Sequence, residues 1–161
     1  MMLCLILVPT ACLGWNGSQD ERFLTATYGT EVQATIENFK LRWLSLDSRK
    51  DPSVQAELAT GPFLDYWGNA RTGKAIYDEP FWLITTSAVV KYLRVLEYSP
   101  ERFKAIARVS TLYDSITPEG KLIESKLPYE VCSVYVFIRE GNAWKMATAF
   151  GMTVPQHVER D

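Results

Sequence analysis

The sequence predicts an α+β fold in which N-terminal helices pack in the concave face of a curved antiparallel sheet of about four strands, a cone-like barrel. Residues 30–49 carry apolar side chains at helical spacing. The second half of the chain is rich in branched and aromatic residues that alternate with polar ones, and strong turn sequences divide it. Helices followed by a run of strands are typical of a layered α+β domain.

The central helix is predicted over residues 30–49. Thr30 followed by Gln33 is a capping-box pattern that places the start of this helix, and Gly29 indicates a break from a shorter turn over residues 21–28. Its aromatic face needs a surface to cover it, so we expect Trp43 to point into the concave side of the sheet. The apolar positions recur at offsets of three and four, and they are Val32, Ile36, Phe39, Trp43 and Leu46.

Two short helical segments are predicted after the central helix. Asp51 and Pro52 suit the N-cap and the first position of a helix that Gly61 ends. Residues 62–71 then predict one or two helical turns, with Tyr66 and Trp67 on one side.

The strands are predicted over residues 81–98, 103–114, 127–139 and 143–150. The first of these ranges indicates a short strand or loop followed by a long strand. The apolar run in the third range predicts that both of its faces are buried. Ile106 and Leu112 interrupt the otherwise polar face of the second strand, so we expect this face to be covered in part.

The composition predicts one globular domain over residues 21–150. The chain has 161 residues, of which 47% are hydrophobic and 22% charged, with a formal net charge of -2. A domain of this size builds an ordinary core without metal or disulfide staples. The chain has no basic stripe, which argues against nucleic-acid binding. Its 12% aromatic content fits either a thick aromatic core or an aromatic-lined pocket.

The first 20 residues are predicted to be a signal-like segment and a flexible linker, and residues 151–161 a frayed tail. The apolar run before Pro9 is too short to span a bilayer and resembles the core of a secretory signal. The segment looks like a bacterial lipoprotein signal in which Cys12 is acylated, although no Lys or Arg precedes the run and Pro9 replaces the usual leucine. A plain signal, cleaved or uncleaved, and a first buried segment of a cytosolic domain remain as alternatives. Cys132 is expected to be a small buried side chain without a partner.

The order of these elements resembles the nuclear-transport-factor-2-like superfamily, which includes the SnoaL-like proteins. The likeness covers residues 31–150, and a weaker one is to the IMS domain of plastid-division regulators. It implies a cone-shaped fold that hosts both enzymes and binding modules, so it does not decide the function. The division role does not transfer, because this chain lacks the larger division protein. The motifs that carry the likeness are Arg42-Trp43-Leu44, Tyr66-Trp67-Gly68-Asn69-Ala70, the alternating Ala105, Ala107 and Val109, and Trp144-Lys145-Met146.

The sequence contains few residues that could support catalysis. The single histidine, His157, lies in the predicted tail, so triad chemistry and histidine-based metal sites have no residues to use. Asp65, beside two aromatic residues, and Asp114, beside Tyr113, are weak candidates for a general base, and exposure on the surface is the more common outcome for both. We predict no cofactor and no metal site.

The sequence therefore favours a non-enzymatic ligand-binding or protein-interaction module, held outside the cytoplasm in the cell envelope through a lipid on Cys12. A cytoplasmic location is the alternative. An isomerase-like or hydrolase-like enzyme that uses Asp65 or Asp114, and a homodimerisation module that pairs through Ile106 and Leu112, are the alternative functions. The expected ligand is an apolar small molecule or a protein segment, and the residues expected to line its pocket are Tyr28, Trp43, Tyr66, Trp67, Phe81, Trp82 and Tyr113.

Overall fold

The computed structural model describes residues 19–51, 53–68 and 81–151. Its helical half consists of one long helix and several short ones. They are α1 (Gln19–Trp43), α2 (Leu46–Lys50), α3 (Ser53–Leu58) and α4 (Gly61–Phe63), which continues into a π-helical turn, Leu64–Gly68. None of the described helices is long and apolar enough to cross a membrane.

Four antiparallel strands follow in the spatial order β1-β2-β3-β4, so each strand pairs with its neighbour along the chain. Among the described residues the sheet is curved but not closed, because β1 and β4 are its two edges. The predicted α+β fold class is confirmed. The strands are β1 (Trp82–Tyr98), β2 (Arg102–Ile116), β3 (Leu122–Glu140) and β4 (Ala143–Gly151).

The core lies between α1 and the concave face of the sheet. Phe39 is its centre: the ring centroids of Trp43 and Phe137 lie 5.4 and 5.8 Å from that of Phe39. Phe103 continues the stack at 4.9 Å from both Phe137 and Trp144. Trp43 points into the concave side, as predicted, and belongs to the buried core cluster together with Phe39, Phe103 and Phe137.

The helical half also covers both edges of the sheet. On β1, the amides of Val90 and Val95 donate to Glu37 Oε1 (2.8 Å) and Thr25 Oγ1 (2.9 Å) of α1. On β4, the carbonyl of Met146 accepts a hydrogen bond from the amide of Thr60, at 3.0 Å. Exposed strand edges invite pairing with other chains, and here helix side chains and a loop occupy them instead.

The predicted bounds of the central helix, residues 30–49, were wrong at both ends. α1 begins at Gln19 and passes through Gly29, which is buried and keeps a negative φ, so the glycine does not break the helix. The helix ends at Trp43, because Ser45 adopts an extended conformation and caps a separate helix by accepting a hydrogen bond from the amide of Ser48. This break leaves the carbonyl of Leu44 free to accept from a β1 amide.

Two strand predictions also need correction. Residues 82–98 form one continuous strand with register shifts rather than a short segment and a long one. β3 begins at Leu122, earlier than the predicted residue 127, because an irregularity in its pairing with β2 carries it past Lys126. Lys126 has a φ of 58°, and its amide donates to Asp114 Oδ1 at 3.0 Å, which holds the irregularity in place.

Candidate functional site

A surface cleft with a volume of about 330 Å³ opens between α1, α3 and the β3–β4 hairpin. We call it the flank cleft, because it lies outside the concave core. Such a volume is at the lower end of the range for ligand sites, about 300–1,000 Å³. Its lining residues are Ala34, Thr35, Asn38, Phe39, Arg42, Glu57, Leu58, Phe137, Ala143 and Trp144.

The helical periodicity of α1 builds one wall of the flank cleft. Ala34, Asn38 and Arg42 are spaced four residues apart, so they form a stripe along one side of the helix, and all three are exposed. The floor belongs to the core: Phe39, Leu58 and Phe137 are buried and reach the cleft from below. The cleft thus has an apolar floor and a more polar rim.

Asn38 gives the flank cleft an unused polar group. Within the described residues, the side-chain amide of Asn38 forms no hydrogen bond, whereas the hydroxyl of Thr35 donates to the carbonyl of Glu31 at 2.9 Å. An amide carries both donors and an acceptor, so it can pair with the backbone of a bound segment. At one end of the cleft Arg42 Nη2 and Glu57 Oε2 form an ion pair at 3.0 Å between exposed side chains.

A hydrogen-bonded cluster around Glu31 adjoins the cleft through Trp144. Glu31 accepts hydrogen bonds from the hydroxyl of Tyr98 and, at 2.9 Å, from Trp144 Nε1, while the Arg139 guanidinium lies 4.5 Å from the centroid of the Trp144 ring. The Tyr98 and Trp144 hydrogen bonds hold the pKa of the Glu31 carboxyl below its usual value. Burial and the Glu31 carboxylate raise the pKa of Tyr98 to about 12. The Glu31 carboxylate is therefore ionised and already engaged, which suits it to fixing α1 against β1 and β4.

The interior holds a second perturbed group, Lys40. Its Nζ lies 5.4 Å from the centroid of the Tyr135 ring, a cation–π distance. Burial lowers the pKa of Lys40 to about 8, and no described carboxylate forms an ion pair with it. Burial also raises the pKa of Tyr135, the residue whose ring Lys40 faces.

The residues predicted to line a pocket are dispersed. Trp43 is buried in the core, and Tyr28 stacks on Tyr98 with ring centroids 3.8 Å apart. Tyr66, Trp67 and Phe81 are exposed. Trp82 is half-buried at the start of β1, and Tyr113 lies 6.1 Å from Tyr129 between ring centroids. None of the seven lines the flank cleft, and a pocket formed by them stays a prediction.

The two candidate bases occupy structural or exposed positions. Asp65 is exposed on the π-helical turn, and Asp114 accepts the Lys126 amide at the β3 irregularity. Cys12 and His157 lie outside the described residues. Cys132 is buried and disulfide-bonded, so the expectation that it lacks a partner was wrong.

The sequence reasoning missed Asn38 and the Glu31 cluster. Glu31, Tyr98, Arg139 and Trp144 lie on different elements and share no motif spacing, so only the folded chain brings them together. Asn38 was visible as a polar residue off the apolar stripe, but that describes any solvated helix position. The small side chain of Ala34 is no signal of a recess either, because Ala26 of the same helix is also exposed and lies outside the cleft.

No protein-family model matches the chain, and no curated protein matches it. The crystal structure of the intermembrane space region of chloroplast protein ARC6 is 13% identical, with a TM-score of 0.46, over 86% of this chain and 100% of that one. An NTF2-like protein involved in plasmid conjugation is 11% identical, with a TM-score of 0.48, over 84% of this chain and 53% of that one, so this chain spans about half of its length.

A long helix in the concave face of a curved antiparallel meander is the arrangement that the sequence resemblance implied. At these identities the likenesses concern the fold alone, and the ligand or partner has to be argued from the site.

Proposed function

We propose that this protein is a non-enzymatic interaction module that binds a protein segment in the flank cleft. The observation that carries the proposal is an open recess with an apolar floor, an unused amide at Asn38 and a charged end, all on the outer side of α1. A partner segment would place one apolar side chain on the floor and pair its backbone with Asn38. Interfaces of this kind combine an apolar centre with a polar rim.

The contacts among the aromatic residues of the core favour a protein segment at the surface over an enclosed small molecule. Phe39, Phe103, Phe137 and Trp43 occupy the concave side with contacts among themselves. The flank cleft, by contrast, is open along one side and suits a side chain carried by a larger partner. The exposed Tyr66–Trp67 pair, with ring centroids 5.2 Å apart, adds aromatic surface of the type enriched at protein interfaces.

For the location, we propose the outside of the cytoplasm. The disulfide at Cys132 supports this, because disulfides persist in oxidising compartments and are rare in the cytosol. Acylation of Cys12 is an alternative basis for the same location. It does not combine with a disulfide inside the chain, because it would remove Cys4 and block the Cys12 sulfur.

The proposed function is tested by peptide selection followed by mapping. A library of random peptides displayed on phage is selected against the immobilised full-length protein, and an enriched peptide is synthesised. We expect it to shift the amide NMR signals of Ala34, Asn38 and Ala143, which surround the cleft, and to leave Lys91 on the exposed part of β1 unchanged. Failure to enrich any peptide, or shifts confined to residues outside the cleft, would reject the proposal.

A further inference from the structure

Lys40 is a largely buried cation for which the described residues supply no counter-charge. Its ammonium group lies over the Tyr135 ring, 5.4 Å from the ring centroid, and burial lowers its pKa to about 8. No described carboxylate forms an ion pair with it. Buried charges in proteins normally have a partner that offsets the loss of water. The folded protein therefore carries a positive charge that a bound anion would stabilise.

Tyr135 supplies a second donor at the same place. The residue is only 1% exposed, and no described atom accepts a hydrogen bond from its hydroxyl group. Burial raises the pKa of Tyr135, and the nearby Ser133 hydroxyl lowers it, which is the effect of a group that directs its own proton at the phenol oxygen. Buried polar groups without a partner are rare in folded proteins. One acceptor placed between Lys40 and Tyr135 would satisfy both donors.

Two further tyrosines converge on this part of the concave face. Tyr113 and Tyr129 act electrostatically on Tyr135, and their own ring centroids lie 6.1 Å apart. Alternate residues of paired strands share a face, and the register of β2 with β3 places all three tyrosines on the same face as Phe137 of the core. We call Lys40, Tyr113, Tyr129 and Tyr135 the lysine–tyrosine cluster.

The lysine–tyrosine cluster is exposed at one end. Along the concave face of β3 the exposed fraction of the residue rises from 1% at Tyr135 to 39% at Tyr129, and Lys40 and Tyr113 are half-buried. The aromatic core begins on the other side of Tyr135, at Phe137. A ligand that enters beside Tyr129 can therefore reach the Lys40 ammonium group without displacing that core.

The lysine–tyrosine cluster and the flank cleft lie on different sides of α1. Lys40 follows Asn38 by two residues, so the two side chains point about 200° apart around the helix. None of the four residues of the cluster lines the flank cleft. Ligand binding at the cluster is therefore independent of the segment binding proposed for the flank cleft.

We propose that the lysine–tyrosine cluster binds a small organic carboxylate with a flat apolar body. The carboxylate pairs with the Lys40 ammonium group and accepts the hydrogen bond of the Tyr135 hydroxyl, and charge-assisted hydrogen bonds of this kind are stronger than neutral ones. The apolar body lies against the rings of Tyr113 and Tyr129. An inorganic anion would satisfy the same two donors but would make no use of these rings, so it fits the cluster less well.

An NMR titration of the full-length protein tests the ion pair. The protein is labelled with ¹³C-lysine, and the Lys40 signal is identified by its loss in Lys40→Met. Benzoate should raise the pKa of Lys40, because the carboxylate favours the charged ammonium group, whereas benzamide, a neutral molecule of similar shape, should leave it unchanged. Since Lys40 loses its proton at about pH 8, the affinity for benzoate should fall about tenfold between pH 7 and pH 9. An unchanged Lys40 pKa with benzoate, or an equal change with benzamide, would overturn the proposal.

Variants of the two donors test the same site by titration calorimetry. Lys40→Met should weaken benzoate binding by about tenfold or more, and Tyr135→Phe, which keeps the ring and removes the hydroxyl, by about threefold or more. Lys91→Met, on an exposed lysine of β1, is the matched control and should bind benzoate like the wild type. Urea unfolding of each variant shows that it is folded. Equal affinity of Lys40→Met and the wild type for benzoate, or tighter binding of inorganic phosphate than of benzoate, would refute the assignment.

Discussion

Replacing Lys40 by methionine should stabilise the protein at neutral pH. The side chain lies on α1 above the Tyr135 ring, and burial lowers its pKa from 10.5 to about 8. The charged ammonium group therefore destabilises the folded protein relative to the unfolded chain, in which water solvates it. Methionine has a similar length and retains the apolar contacts of the stem without the charge.

The magnitude follows from the two pKa values. The difference between 10.5 and about 8 corresponds to roughly 3 kcal/mol. Lys40 retains some exposure, and methionine loses a cation–π contact of about 1 kcal/mol. We therefore expect Lys40→Met to raise the free energy of unfolding at pH 7 by about 1–2 kcal/mol.

The pH dependence separates this explanation from simple repacking. Between pH 8 and 10.5 the unfolded chain holds the Lys40 proton more tightly than the folded one, so the wild-type protein gains stability as the pH rises through this window. The advantage of the variant should accordingly shrink by more than half at pH 9.5. Urea unfolding at pH 7, 8.5 and 9.5 measures it, with Lys91→Met, on an exposed lysine, as the control. A destabilised variant at pH 7, or an advantage that does not change with pH, would refute the reasoning.

Three further predictions concern stability. Gly29→Ala should raise the free energy of unfolding, measured in urea, by about 0.5–1 kcal/mol, because a Cβ at this position would meet Leu93 Cδ2 at 3.7 Å, an ordinary contact. A lower free energy of unfolding would show that the site needs glycine. Phe137→Ala should lower the free energy of unfolding by about 3–5 kcal/mol, because the residue is only 1% exposed within the aromatic stack. A decrease below about 1 kcal/mol would contradict its central place in the core. Glu31→Gln should cost about 1 kcal/mol at pH 7 and shift the Trp144 fluorescence. The low pKa of Glu31 stabilises the fold above the usual carboxyl range, and this contribution is lost as the pH falls, so variant and wild type should converge in acid.

Much of the sheet was predictable because its determinants are local. Alternation along residues 103–114 and the turn at Glu140-Gly141-Asn142 depend on neighbours in sequence, and β2 and β4 lie close to their predicted ranges. The helix boundaries were less predictable, since they depend on contacts across the fold. Gly29 remains helical within a 25-residue α1 that packs on the sheet and binds its edge, and tertiary packing of this kind outweighs the low helix propensity of glycine.

The candidate site was largely unpredictable for the same reason. The flank cleft combines Ala34 and Asn38 of α1 with Glu57 of α3 and Ala143 of β4, and nothing in their sequence positions marks them as neighbours. The aromatic residues chosen from composition were either core residues, such as Trp43, or exposed ones, such as Tyr66. Several other aromatic residues do form a buried core, which was one of the two interpretations that the sequence left open.

The measurement that tests the central claim most directly compares two tryptophan substitutions on α1. Ala34→Trp fills the flank cleft, and Ala26→Trp places the same side chain about two turns earlier on the same helix, at an exposed alanine outside the cleft. The affinity of a selected peptide is measured by titration calorimetry with both variants and with the wild type. We predict at least a tenfold loss of affinity, about 1.4 kcal/mol, for Ala34→Trp and no change for Ala26→Trp. Equal binding by the two variants would contradict the assignment of the flank cleft as the binding surface.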